Sequence, residues 1–207
     1  MAETEKNSEI VHPRMVRVTH WVNAFATIAM LLSGWRIYNA APIFAFEFPV
    51  GLGGWLAGAL AWHFAAMWLL LINALVYAIY VTVSGHFGRA FLPLSLGDAA
   101  RDVAQSLANA RRGFAAHRPG HYNSAQRLIY LGVFLAMIVV ALSGAAIWKP
   151  VQWQELTAVF GGYDMARRVH FYAMTAIALF LALHVGLALT VQGVLIPMFT
   201  GRPERRA

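Results

Sequence analysis

Apolar residues dominate four long stretches of this chain, and each stretch is long enough to cross a membrane as an α-helix. Such a helix needs about 20 largely apolar residues to span ~30 Å of hydrocarbon. The stretches run over about 18–38, 55–83, 128–148 and 169–190, and a more polar loop of about 84–126 separates the second from the third. The pattern predicts one all-α domain over 1–207, an integral membrane four-helix bundle.

Composition supports a membrane protein and excludes a soluble globular enzyme. Of the 207 residues, 59% are hydrophobic and 12% are charged, which is roughly half the charged fraction of an average soluble domain. A cleaved secretory signal is an alternative reading of the first stretch. Its apolar run is longer than a signal requires, and Glu3, Glu5 and Glu9 accompany Lys6 before it, so a retained span is favoured.

The positions of the basic residues predict the orientation of the chain. The formal net charge is +7, and most of the Lys and Arg residues lie on the side that holds both termini and the long loop. The other side holds only Arg36, Lys149, Arg167 and Arg168. By the positive-inside rule both termini are cytoplasmic, in a bacterial inner membrane. The basic residues thus indicate topology, and no soluble basic domain remains for nucleic acid.

The connecting segments indicate contact surfaces for lipid or a partner protein, and no catalytic site. In the cytoplasmic loop, Asp98 could cap a helix over about 99–112, either an interfacial helix or a solvated linker helix. The two external loops are short and aromatic, with Phe44, Phe46 and Phe48 in the first. They suit a lipid interface and equally a docked partner protein.

Four of the eight histidines lie within the predicted spans, where an ionisable residue is costly and therefore indicates function. His20 and His184 lie in the cytoplasmic halves of the first and fourth spans, and His63 and His170 in the external halves of the second and fourth. Each layer therefore holds two histidines from different helices, as a six-coordinate haem requires. The chain has no cysteine, which excludes thiolate-held clusters and c-type haem. The histidines of the tails and loops, at 12, 86, 117 and 121, are read as ordinary solvated side chains.

The fourth span supplies one histidine to each layer. His170 and His184 are 14 residues apart, which on a helix is about 40° short of four turns and about 21 Å along the axis. Both side chains therefore project from nearly one face. By these span boundaries His63 lies deeper than His170, and this is the weakest part of the external pairing.

Two arginines and two glycines have positions that suit a bound haem. Arg17 and Arg167 each precede a histidine by one helical turn, where they could pair with propionates or simply extend to the membrane surface. Gly34 and Gly144 could let a porphyrin plane approach the backbone, and close helix packing is the alternative.

These residues resemble a known family. Arg17-x-x-His20-Trp21, one histidine in the second span and two histidines 14 apart in the fourth look like the dihaem cytochrome b subunits of formate dehydrogenases, nickel–iron hydrogenases and thiosulfate reductases, a bacterial cytochrome b561-like group. The runs HPRMVRVTHWVNA, GGWLAGALAWHFAAMWLL and GHYNSAQRLIYLG carry most of the likeness, which covers all four spans.

The resemblance implies two non-covalent b haems, one held by His20 with His184 and the other by His63 with His170. It also implies a quinone site at the start of the third span, where Asn123, Gln126 and Arg127 match the family's pattern. A cap at a helix start is the other reading of these polar residues. The implied partner is a periplasmic molybdopterin or Fe–S oxidoreductase, which would carry the substrate chemistry.

The function predicted from the sequence is electron transfer between that partner and the quinone pool, in either direction. A stand-alone cytochrome b561 that oxidises a small reductant such as superoxide is the main alternative. A transporter with a histidine proton relay would call for carboxylates or broken helices at mid-membrane, and no acidic residue lies mid-span. A pure membrane anchor would need no intramembrane histidine.

Overall fold

A computed structural model describes residues 12–84, 97, 101, 124–190, 193 and 195–202. These residues form helices and no strand, which confirms the all-α prediction. The six helices are α1 (Arg14–Ala40), α2 (Leu56–Val83), α3 (Ser124–Trp148), α4 (Gln154–Val159), α5 (Tyr163–Thr190) and α6 (Leu195–Thr200). Apart from position 101, the helix predicted over about 99–112 lies outside the described residues.

The four long helices are the four predicted spans. α1, α2, residues 128–148 of α3, and α5 are each long and apolar enough to cross a membrane. Large apolar side chains project outward from them; Phe25, Leu75 and Leu179 are each 60–67% exposed. In a bilayer these side chains contact lipid, while the helical hydrogen bonds satisfy the backbone.

Three predicted helix starts differ from the observed ones by four residues or more, and one of them is that of α3, which begins at Ser124 and not at about 128. α1 begins at Arg14, directly after Pro13, and α5 begins at Tyr163, six residues before the predicted position of about 169. Hydropathy misses these first turns because they carry Arg14 and Arg17 in α1, and Asp164 and Arg167 in α5. Charged residues suit a helix end at the level of the lipid headgroups.

The chain divides into two compact units. The first contains α1, α2 and α6, and the second contains α3, α4 and α5 as far as Leu187. Within the first unit, α1 and α2 share a buried polar contact: Asn73 donates from Nδ2 to Thr19 O at 2.9 Å and to Asn23 Oδ1 at 2.6 Å. Within the second unit, Thr157 of α4 donates to Ala146 O at the end of α3, at 3.3 Å.

A pair of glycines precedes each of the two helices that carry His63 and His170. Gly53 and Gly54 lie just before α2, Gly161 and Gly162 lie directly before α5, and all four have positive φ. A side chain at Gly53 would come within 2.4 Å of Ala59 N. These turns therefore need glycine, and they set where each helix begins.

Candidate functional site

In the first unit, a buried serine of α1 holds the imidazole of His63 on α2. Ser33 Oγ lies 3.0 Å from His63 Nδ1, and Ser33 is 0% exposed. The serine hydroxyl donates its single hydrogen within its own helix, with Ala29 O at 2.6 Å and Met30 O at 3.2 Å. The oxygen therefore accepts from an Nδ1–H of His63, and Nε2 carries the lone pair that a metal would bind.

In the second unit, the same arrangement occurs between α3 and α5. Ser143 Oγ lies 3.2 Å from His170 Nδ1 and donates to Val139 O at 2.6 Å. His170 Nδ1 also lies 2.9 Å from Val140 O. A carbonyl can only accept, so this contact by itself assigns the hydrogen to Nδ1 of a neutral imidazole. Nε2 is again the nitrogen with the available lone pair.

The two arrangements have the same register in their helices. Ser33 and Ser143 occupy the same position when each is counted from the first residue of its helix, α1 or α3. His63 and His170 likewise occupy the same position counted from the first residue of α2 and of α5. The predicted start of the fourth span at about 169 placed His170 next to its end, whereas the observed start at Tyr163 places this histidine a full two turns into α5.

Gly34 and Gly144 give the two imidazoles room against the backbone. A Cβ at Gly34 would lie 3.4 Å from His63 Cε1, and a Cβ at Gly144 would lie 3.1 Å from His170 Cε1. The space beside each glycine thus receives the edge of an imidazole, and the approach of a porphyrin plane to these glycines stays a prediction. Each Ser-Gly pair therefore lies against the Nδ1–Cε1 edge of one histidine.

His20 and His184 lie in different units, and each has an aromatic neighbour. His20 on α1 meets Trp21 edge-on, with 5.4 Å between ring centroids. His184 on α5 stacks on Phe180 at 5.6 Å. Beside Phe180, an apolar groove of 280 Å³ runs between α3 and α5, lined by Gly132, Ala136 and Leu183 among others. It offers apolar contact of the kind that a macrocycle edge or an isoprenoid chain needs.

Arg17 is held by the C-terminal part of the chain, a contact that sequence patterns did not predict. Its Nη1 donates to Phe199 O, and a Cβ at Gly201 would lie 3.2 Å from its guanidinium. Trp21 stacks on Phe199 and donates from Nε1 to Met198 O at 3.1 Å. We call α6 together with Gly201 the C-terminal cap. Arg17 Nε is buried and has no hydrogen-bond partner among the described residues, so one donor of this guanidinium is available to an anionic group.

The remaining predicted site residues are described only in part. Arg167 is half-buried in the first turn of α5. Gln126 and Arg127 lie in the first turns of α3, and their side chains lie outside the described part of the chain, as does Asn123 altogether.

The donor set fits haem better than a bare metal ion. Among the described residues no three His, Asp or Glu side chains come together as ligands for a metal ion. Haem needs only axial ligands, and neutral imidazoles with the hydrogen on Nδ1 supply them. The unpartnered Arg17 Nε is a further feature that suits a group with anionic substituents.

Comparison with known proteins decides the family. The family model described as "prokaryotic cytochrome b561" matches residues 11–201 of this chain. This chain belongs to that family. Membership implies a b-type haem, and with four spans it makes this cytochrome a multi-pass protein of the bacterial inner membrane.

Two curated relatives carry more specific names. A putative protein-methionine-sulfoxide reductase subunit, YedZ1, from Azospira oryzae is 45% identical over 92% of this chain and 96% of the relative. A probable Ni/Fe-hydrogenase B-type cytochrome subunit from Bradyrhizobium diazoefficiens is 24% identical over 95% of this chain and 86% of the relative. No solved structure matches the cytochrome.

Sequence reasoning did not identify Ser33 and Ser143 as partners of histidines. The available signal was a repeated Ser-Gly dipeptide, one in the first span and one in the third, each followed by a histidine in the next span along the chain. Asn73 was also missed, although an amide in the middle of an apolar span indicates a polar partner.

Proposed function

We propose that this cytochrome b561 is a dihaem electron-transfer subunit that links the quinone pool to a partner oxidoreductase. The observation that carries the proposal is the matched pair of histidines, His63 and His170, each held through Nδ1 so that Nε2 can bind iron. A protein that used these histidines as proton relays would gain nothing from locking both rings in one tautomer.

In this proposal His63 and His170 ligate the external haem, and His20 and His184 ligate the cytoplasmic haem. When bound, the two haems supply one-electron carriers at two depths of the membrane. The 14-residue spacing on α5 directs His170 and His184 to nearly one face of that helix. Both termini are cytoplasmic in this arrangement, as the distribution of Lys and Arg indicates.

The two arginines bind the anionic groups of the haems. Arg17 has an Nε without a hydrogen-bond partner among the described residues, while its Nη1 donates to the C-terminal cap. Arg167 lies one turn before His170, at the start of α5. Charge-assisted hydrogen bonds from such a guanidinium hold a carboxylate in a fixed direction.

Quinone binds at the cytoplasmic start of α3. Gln126 and Arg127 lie in the first turns of that helix, shortly after Asn123. Amide and guanidinium groups donate hydrogen bonds to quinone carbonyl oxygens, and a site at this level takes up or releases protons on the cytoplasmic side. The apolar groove beside Phe180 suits the isoprenoid chain.

The partner is a periplasmic reductase of oxidised methionine. This assignment rests on the relative named as a protein-methionine-sulfoxide reductase subunit, and the hydrogenase cytochrome relative supports the general use of an oxidoreductase partner. Oxidation of one quinol to quinone releases two electrons and two protons. Reduction of one methionine sulfoxide consumes two electrons and two protons and yields methionine and water, so the two reactions balance.

Reconstitution tests this function. The chain, purified by an affinity tag with whatever periplasmic protein accompanies it, is placed in liposomes with a reduced quinone and a protein that contains methionine sulfoxide. We expect quinol-dependent repair of methionine that falls at least tenfold in a Gln126→Leu, Arg127→Leu double variant. Reduction of the cytochrome by superoxide without any partner, with no dependence on quinol, would contradict the proposal and favour the stand-alone cytochrome.

A further inference from the structure

We propose that Ser33 and Ser143 are positioning residues that hold His63 and His170 in the tautomer that binds iron and that set how strongly each imidazole donates to it. The proposal rests on the proposed haem ligation, and it assigns a role to two residues that neither the family nor the relatives' names mention. Each serine acts on a histidine of its own unit.

The hydrogen-bond directions are determined by donor counting. Each hydroxyl has one hydrogen, and the short contacts of 2.6 Å to Ala29 O and Val139 O take it. The serine oxygen can therefore only accept from the imidazole, at 3.0 Å for His63 and 3.2 Å for His170. A ring flipped to the other tautomer would bring a lone pair against that oxygen and lose the bond.

Burial makes the two serines hard to replace. Both are 0% exposed, so water does not reach the hydroxyl to take over its role. The neighbouring glycines leave room for the imidazole edge, which lies 3.4 Å and 3.1 Å from the position that a Cβ would occupy. Each buried serine thus contacts a ring for which the next residue, a glycine, leaves room.

An acceptor on Nδ1–H also changes the chemistry of the ligand. Partial transfer of the hydrogen to the acceptor increases the electron density at Nε2, which favours ferric over ferrous iron. A hydroxyl that already donates to a carbonyl is a better acceptor than a solitary hydroxyl, because hydrogen bonds in a chain polarise one another. Loss of the serine oxygen should therefore raise the haem potential.

The experiment is a redox titration of the purified full-length cytochrome with Ser33→Ala and Ser143→Ala, singly and together. We expect the ferrous form to gain about tenfold over the ferric form in the double variant, an upward shift of ~59 mV for one electron. Ser143→Ala alone should have a partial effect because Val140 O still accepts from His170. Ser33→Thr and Ser143→Thr keep the hydroxyl and should restore the potential.

Thr175→Val is the matched control. Thr175 also donates to a carbonyl of its own helix, Phe171 O at 2.9 Å, and its removal should leave the potential unchanged. A second measurement uses the haem-free protein labelled with 15N-histidine. Wild type should show Nδ1–H for His63 and His170, and Ser33→Ala a mixture of tautomers for His63. In Ser143→Ala, His170 should keep Nδ1–H because Val140 O still accepts from it. An unchanged potential together with unchanged tautomers in the alanine variants would overturn the proposal. A wild-type protein that binds no haem would instead refute the proposed function on which it rests.

Discussion

The clearance beside the two histidines predicts different outcomes for the same substitution at two matched glycines. In Gly144→Ala the new Cβ would lie 3.1 Å from His170 Cε1, tighter than ordinary van der Waals contact, whereas in Gly34→Ala it would lie 3.4 Å from His63 Cε1, where ordinary contact begins. The imidazole of His170 must therefore move by a few tenths of an ångström. That movement strains its bonds at 2.9 Å to Val140 O and 3.2 Å to Ser143 Oγ.

We expect Gly144→Ala to weaken haem binding about tenfold, or ~1.4 kcal/mol, which is the lower end of the effect of disturbing the groups that orient a metal ligand. Gly34→Ala should weaken it less than about threefold, and it serves as the matched control. In both variants alanine favours the helix by up to ~1 kcal/mol relative to glycine, so the haem-free protein should unfold at the same temperature as wild type or higher.

The assay measures haem transfer from the cytochrome to an excess of apomyoglobin, together with thermal unfolding of the haem-free protein in the same detergent. Haem loss without loss of stability is the signature of a displaced ligand. Equal haem loss in the two variants, or haem loss that tracks a fall in unfolding temperature, would refute the reasoning from clearance.

Three further predictions concern α1 and its neighbours. Asn73→Leu should destabilise the protein by about 1 kcal/mol in thermal unfolding, because it removes both bonds to α1; no change would show that the amide contributes nothing. Arg17→Gln removes the guanidinium that donates to Phe199 O, so it should speed amide exchange in the C-terminal cap more than Trp21→Phe, which keeps the stacking on Phe199. Faster exchange in Trp21→Phe than in Arg17→Gln would contradict the role of Arg17 in holding the cap. Burial, and then the charge of Arg17, lower the pKa of His12 from 6.5. His12 N donates to Gly201 O of the C-terminal cap at 3.5 Å. Because His12 binds a proton more readily when this contact is unfolded, the cap should loosen as pH falls below about 6.5. Amide exchange corrected for intrinsic rates should show this pH dependence in wild type and not in His12→Gln.

The spans and the candidate ligands could be predicted because a bilayer restricts what a helix can contain. A stretch that crosses hydrocarbon must be apolar, so the positions of His20, His63, His170 and His184 stand out against it. The helix starts were less predictable. The first turn of α5 carries charged residues that suit the headgroup region, and hydropathy assigned it to a loop.

The contacts of Ser33 and Ser143 could not be predicted from local sequence. A serine within an apolar helix equally suits close packing or a bond to its own helix, and both serines do make such bonds. Only the packing of α2 on α1, and of α5 on α3, adds the imidazole. The same holds for Arg17, whose partner Phe199 is 182 residues away in the chain.

The proposed function depends above all on four intramembrane histidines that hold two haems. The most direct test is a reduced-minus-oxidised spectrum with haem extraction on the purified chain, repeated with alanine at each of the four positions. We expect two non-covalent b haems per chain, with one lost in His63→Ala or His170→Ala and the other in His20→Ala or His184→Ala. A colourless wild-type protein, or four variants that all retain two haems, would contradict it.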